Sequence, residues 1–177
     1  MSFVLPYIDD ILVVSKSEKE HEEHLEKIFQ ILVNERLEIN MKKSLFFKNS
    51  VRFLGHMISE KGFKTVPSKV QAIVEFPIPK NKTEIKRFTG MINYYRRFIP
   101  SIGHILAPLH ELEKNCNWTE MHNKAFEEAK TALSKATNLN CPEEKGPFII
   151  TTDASDVAAG ASLEQLVEKQ LKPIAFM

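Results

Sequence analysis

The stretch Phe3-Val4-Leu5-Pro6-Tyr7-Ile8-Asp9-Asp10-Ile11-Leu12-Val13-Val14 (residues 3–14) decides how the chain is read. Two apolar, largely β-branched runs, 3–5 and 11–14, flank a short polar tip, which is the pattern of a β-hairpin. An Asp pair is not the favoured Asn-Gly or Asp-Gly turn, so the two carboxylates ask for another reason. Side by side they repel each other, and their ionised forms are hard to sustain without a cation. Mg²⁺ supplies one, held by one or two carboxylates together with substrate phosphates. A solvated turn, where aspartate is common, fits Tyr7–Asp10 equally well.

Outward from this tip, Ser15 to Glu18 has capping-box spacing. It predicts a helix from about Glu18 to Leu37, with Leu25, Ile28, Phe29 and Leu32 on its buried face. Residues 39–53 read as short strands or extended chain. Val51-Arg52-Phe53-Leu54 and Met57-Ile58 look like hairpin halves with Gly55 at the bend. Pro67 suits the first turn of a helix that ends before Pro77 and Pro79. Lys82 to Ile99 carries the clearest helical pattern: Ile85, Phe88, Ile92, Tyr95 and Ile99 form one apolar stripe. Lys86, Gly90, Asn93 and Arg97 gather on a different face. Shorter helices are expected over 105–113 and 120–136, the latter with Ala125, Phe126, Ala129, Ala132 and Leu133 inward. Gly146-Pro147 marks a boundary, followed by strands at 148–152, from 160 and over 173–176.

Composition bounds the rest. With 43% apolar and 27% charged residues the chain is neither disordered nor of a membrane class. No apolar run is long enough to span a bilayer. The start lacks a basic segment and a small-residue cleavage site, so no signal peptide is expected. Cys116 and Cys141 have no metal-binding spacing, and free thiols fit an intracellular, reducing compartment. The net charge is +1, but residues 41–60 hold four bases against one acid and residues 61–100 nine against two, between acidic flanks at 9–40 and 101–147. A surface facing a polyanion and a merely solvated basic face both fit that distribution.

Several long motifs occur in a recognisable order: YIDDIL (7–12), EHEEHL (20–25), VRFLGHMIS (51–59), FTGMINYYRRFIP (88–100), PL (108–109), NWTEMHNKAF (117–126) and TDAS (152–155). In these the chain resembles the reverse transcriptase and RNase H region of a gypsy-type LTR retrotransposon Pol polyprotein, along almost its whole length. The resemblance implies an α+β fold. Residues 1–66 would be the C-terminal part of a polymerase palm, 67–112 a thumb, 113–146 a helical connection, and 147–177 the first strands of an RNase H-like domain. Asp9 and Asp10 would be two of the palm's three metal-binding carboxylates, with Tyr7 and Ile8 near the incoming nucleotide and primer end. Phe53, Leu54, Gly55 and His56 resemble the segment that grips the primer terminus. Lys86, Gly90, Asn93 and Arg97 would meet the duplex backbone, a contact that positions without reading sequence. Asp153 would be the first metal-binding acid of the RNase H site. His21 and His24 are expected to face outward without a metal role.

The implied activity is RNA-directed DNA synthesis by two-metal nucleotidyl transfer with Mg²⁺. The implied partners are an RNA or DNA template–primer duplex, deoxynucleotides and the rest of the Pol polyprotein, with no membrane. The implied setting is intracellular, in the cytoplasm, in virus-like particles or in the nucleus. Departures qualify this. The family's remaining palm carboxylate and its other RNase H acids have no counterpart here, so the chain is expected to be a fragment, inactive alone. A non-catalytic nucleic-acid-binding or interaction protein derived from a retroelement is the alternative. Pro6 stands where a strand N–H is usual, Ser44 replaces a usual cysteine, and Thr89 a usual leucine.

Overall fold

The computed structural model describes residues 3–112, 117–156 and 158–177; Cys116 lies outside them. The chain divides into two compact units, Met1–Leu54 and Gly55–Met177. The boundaries expected near 66, 112 and 146 fall inside the second.

In the first unit, β1 (Val4–Tyr7) and β2 (Asp10–Val13) form the expected antiparallel hairpin. Its register pairs Val4 with Val13, Leu5 with Leu12, Pro6 with Ile11 and Tyr7 with Asp10. The Val14 N–H donates to the Phe3 carbonyl at 2.9 Å. Hydrogen-bonded and non-hydrogen-bonded pairs alternate along an antiparallel ladder, so Pro6 falls at a non-bonded pair and its missing N–H takes nothing from the hairpin. The proline that looked out of place in a strand is accommodated by register.

Helix α1 runs Glu18–Asn34, three residues shorter than its apolar pattern suggested. It ends in a Schellman motif: the Leu37 N–H donates to Leu32, the Arg36 N–H to Val33, and Arg36 takes a left-handed φ of 58°. The cap is Ser17, whose side chain accepts from the Glu20 N–H, rather than the expected Ser15. Ser15 is engaged elsewhere. Its Oγ lies 2.9 Å from His21 Nδ1 and 2.8 Å from His24 Nδ1. One hydroxyl proton serves only one of these bonds, so the other ring nitrogen must donate. His24 also stacks face-on against Phe3 at 3.5 Å, and His21 meets Phe47 edge-on at 5.1 Å. The two histidines therefore turn inward, tying the hairpin to the helix, and not outward as expected.

Residues 40–44 form a turn rather than extended chain. The Asn40 carbonyl accepts the N–H groups of Lys43 and Ser44, and its side chain also accepts from Lys43. Regular structure resumes only at β3, Ser50–Phe53.

The second unit opens with the hairpin β4 (His56–Ser59) and β5 (Gly62–Thr65). Helices α2 (Pro67–Val74), α3 (Lys82–Tyr94), α4 (Ile102–Leu112) and α5 (Glu120–Ser134) follow. The predicted stripe is the core: Ile85, Phe88, Ile92, Tyr95 and Ile99 are all buried, among Leu106, Leu109, Phe126, Ala129 and Leu133. Helix α3 stops five residues earlier than expected. The Tyr95, Phe98 and Ile99 N–H groups each reach back three residues, making a tight 3₁₀ turn at Arg96–Phe98, and Ile99 is extended before Pro100. Thr89 is buried, its hydroxyl donating to the Lys86 carbonyl at 3.3 Å, so a polar residue is tolerated at this core position.

The unit closes on an antiparallel meander, β6 (Phe148–Ala154), β7 (Ala159–Val167) and β8 (Gln170–Phe176). Gln165 is buried and pins the preceding loop, accepting from Glu143 N–H and donating to the Glu143 and Gly146 carbonyls. Cys141 is exposed, and partial desolvation pushes its thiol upward, which suits an unreactive thiol. Among the described residues no helix is long and apolar enough to cross a membrane.

Candidate nucleic-acid and metal-binding sites

The hairpin puts Asp9 and Asp10 at an exposed tip. Ile8 and Asp9 form a two-residue loop between the paired Tyr7 and Asp10. Ile8 carries a φ of 52° while Asp9 does not have positive φ, the sign pattern of a II′ turn that ordinarily takes glycine first. A β-branched residue there is strained, and Ile8 is also 87% exposed. The tip thus holds a bulky residue that the hairpin alone gains nothing from. Its two hard oxygen donors suit part of a divalent-cation site. Among the described residues no group of three His, Cys, Asp or Glu could complete one.

Phe53 and Leu54 close the first unit, and Gly55 and His56 open the second. Leu54 and Gly55 both have positive φ, 46° and 74°. A Cβ on Gly55 would collide with the Tyr94 hydroxyl, so the close approach expected at this glycine is, within the chain, the approach of a tyrosine. His56 stacks near-parallel on Tyr94 at 5.4 Å and on Phe98 at 5.3 Å.

Lys86, Gly90 and Asn93 are exposed on α3. Nothing lies within 4 Å of where a Gly90 side chain would stand. Packing inside the chain does not require glycine there, and helix propensity disfavours it. Arg97 is exposed too, but in the 3₁₀ turn rather than on the helix.

Asp153 lies on β6 opposite Gly160 of β7. It is exposed and lines an open cleft of about 630 Å³ with Arg96, Thr152, Gly160, Ala161 and Met177. Arg96 was not singled out in the sequence, although the Arg96-Arg97 pair was a visible signal. Tyr94 was missed for a different reason: its partners, Gly55 and His56, are far away in sequence.

An acidic hairpin tip, exposed Lys86 and Arg97 in the helical part and Asp153 on a meander strand are features that suit divalent cations and a polyanion. Family comparison makes the class specific. Residues 1–58 match the model of reverse transcriptase (RNA-dependent DNA polymerase), and residues 118–177 that of the RNase H-like domain found in reverse transcriptase. The chain belongs to the reverse transcriptase and RNase H-like region of retrotransposon Pol polyproteins. Families of both kinds generally use divalent metals.

Over 167 residues the chain is 39% identical to the Transposon Tf2-3 and Tf2-4 polyproteins of Schizosaccharomyces pombe (strain 972 / ATCC 24843). The match covers 93% of this chain and 12% of each polyprotein. Among solved structures it is similar to the foamy viral protease-reverse transcriptase dRH in complex with double-stranded DNA. There the TM-score is 0.86 at 28% identity, covering 98% of this chain and 31% of that one. It is also similar to the foamy viral protease-reverse transcriptase in complex with an RNA/DNA hybrid, with TM-score 0.82 at 28% identity, covering 98% and 24%.

Proposed function

We propose that this chain contributes the metal-binding hairpin, primer-contacting segment and duplex-facing helix of an RNA-directed DNA polymerase, together with the first acid of an RNase H site. The observation that carries the reading is the strained hairpin, which presents Asp9 and Asp10 at an exposed tip. In it Asp9 and Asp10 hold Mg²⁺, which when bound neutralises charge developing on the phosphoryl group and the reacting oxygens. Tyr7 and Ile8 shape the space for the incoming nucleotide. Phe53, Leu54, Gly55 and His56 hold the primer end, while Lys86, Gly90, Asn93 and Arg97 take the backbone of a template–primer duplex. Asp153 performs the corresponding metal-binding role for RNA cleavage. The foamy viral relatives in complex with double-stranded DNA and an RNA/DNA hybrid support a duplex as the partner. The remaining polyprotein supplies the other catalytic acids, in the cytoplasm, virus-like particles or nucleus.

One observation favours the alternative of a non-catalytic nucleic-acid-binding protein for the chain by itself: no three-ligand metal group exists among the described residues. Template-dependent primer extension separates the two. In a Pol polypeptide containing this chain, Asp9→Asn or Asp10→Asn should lower extension on the order of a hundredfold or more. The isolated chain should give none with Mg²⁺ or Mn²⁺. Unchanged extension in the embedded variants would refute the catalytic roles. Extension by the isolated chain that vanishes in the Asp9→Asn, Asp10→Asn variant would refute its dependence on the polyprotein.

A further inference from the structure

We infer that Tyr94 is a positioning residue that couples the duplex-facing stripe of α3 to the Gly55–His56 segment. The inference rests on the reading that this segment meets the primer terminus, and it deepens that reading.

Lys86, Gly90 and Tyr94 recur every four residues, so they follow one another along one side of the helix. The first two are exposed, and the space beside Gly90 is open. Tyr94 ends the helix and is itself 51% exposed. Yet its ring is not idle. It stacks on His56 at 5.4 Å with an interplanar angle of 18°, and it meets Tyr95 edge-on at 4.8 Å. Its hydroxyl occupies the space that a Gly55 side chain would need. His56 is layered in turn on Phe98, at 5.3 Å and 20°.

Tyr94's neighbours make core packing an insufficient explanation. Tyr95 and Phe98 belong to the buried cluster, and Tyr94 does not. A ring left half in water stabilises the core less than a buried one. What it does provide is a rigid link of fixed length: two χ angles, one stacked face and one hydroxyl fitted to a glycine with φ of 74°. A displacement of the helix stripe, for instance on meeting a duplex, is therefore transmitted to the Gly55–His56 backbone through this side chain, the one contact of His56 among Tyr94, Tyr95 and Phe98 that lies on the exposed stripe. In the opposite sense, the stack holds that backbone at a set distance from Gly90.

The test uses the full chain with two fluorescent DNA probes of equal length: a template–primer with a recessed 3′ end, and a continuous duplex. The ratio of the two affinities reads engagement of the primer terminus. The wild type should prefer the recessed end. Tyr94→Leu should reduce that preference about tenfold while leaving affinity for the continuous duplex within about twofold. The His56 ring-proton resonances should also lose the part of the upfield shift that the Tyr94 ring imposes, while the Phe98 stack keeps the rest. Tyr94→Phe keeps the stack and should keep the preference. Gly55→Ala should lose the preference, and Tyr94→Phe in the same chain should restore part of it, because the hydroxyl is the colliding group.

Lys86→Ala is the contrast, weakening both probes equally. A wild type that binds both probes alike overturns the primer-terminus reading and the inference with it. A wild type that prefers the recessed end, with Tyr94→Leu folded, destacked by its His56 resonances and equally selective, overturns the positioning role alone. Should Gly55→Ala fail to fold, the Tyr94→Leu and Tyr94→Phe pair decides the question unaided.

Discussion

Phe88→Ala is expected to destabilise the second unit by about 3–5 kcal/mol, the range for deleting a buried phenylalanine ring. Phe88 is 1% exposed. Its ring lies 5.8 Å from Phe76 and 4.5 Å from Phe126, so one side chain ties the segment after α2 and the helix α5 to α3. Neither neighbour can collapse into the space without giving up its own partners: Arg87 sits over the Phe76 ring, and Lys130 over Phe126. Domains of ordinary stability hold only about 5–15 kcal/mol in reserve, so the variant should give up a large share of that reserve and unfold at markedly lower urea. Urea denaturation followed by the fluorescence of Trp118 checks this. That residue is the chain's single tryptophan and lies 6.0 Å from Phe126. A loss under about 1 kcal/mol would mean the ring is not packed as described.

Gly62→Ala should cost roughly 3 kcal/mol, through two separate effects. Gly62 has a φ of 101°, where an L side chain is strained. In addition, the added Cβ would collide with the Leu139 carbonyl oxygen. That oxygen cannot simply move. It accepts the Phe63 N–H at 2.7 Å, while the Leu139 N–H donates back to Phe63 at 3.0 Å, and Leu139 is itself buried. Relieving the collision therefore breaks a reciprocal pair of backbone bonds. Gly90→Ala provides the internal control, since the space around it is open. In a helix interior that change should stabilise by about 0.5–1 kcal/mol. Thermal unfolding of the two variants should move in opposite directions, and a matching shift would show that Gly62 is not pressed against Leu139.

What could be read from the sequence was what repeats locally. The stripe from Ile85 to Ile99 follows helical spacing, and every member is buried. The hairpin about Asp9 and Asp10 follows from two apolar runs about a polar tip, and the strands after Pro147 from short apolar runs beyond the Gly146-Pro147 break. Readings failed where a side chain had two possible partners. Ser15 had the spacing of a cap, but two histidines a helical turn apart captured its hydroxyl, and the cap passed to Ser17. Helix α3 kept its apolar spacing beyond its end, because a 3₁₀ turn also buries Phe98 and Ile99. Local reading had no access to the pairing of Gly55 and His56 with Tyr94, or to the open cleft that Arg96 and Asp153 both line. Both depend on tertiary packing. The carboxylate pair was legible as a motif, and its place on a strained, solvent-facing tip became visible only with the Ile8 backbone.

The proposal's broadest claim is that the open basic face of the second unit receives a template–primer duplex. Its most direct test is a binding titration of the chain against a fluorescent RNA/DNA hybrid at several salt concentrations. Phosphate contacts release counterions, so the account predicts weak binding that falls steeply between about 50 and 200 mM salt. Lys86→Ala with Arg97→Ala should flatten the salt slope by nearly two phosphate contacts. Absence of binding at the lowest salt, or an unaltered slope in the double variant, would contradict it.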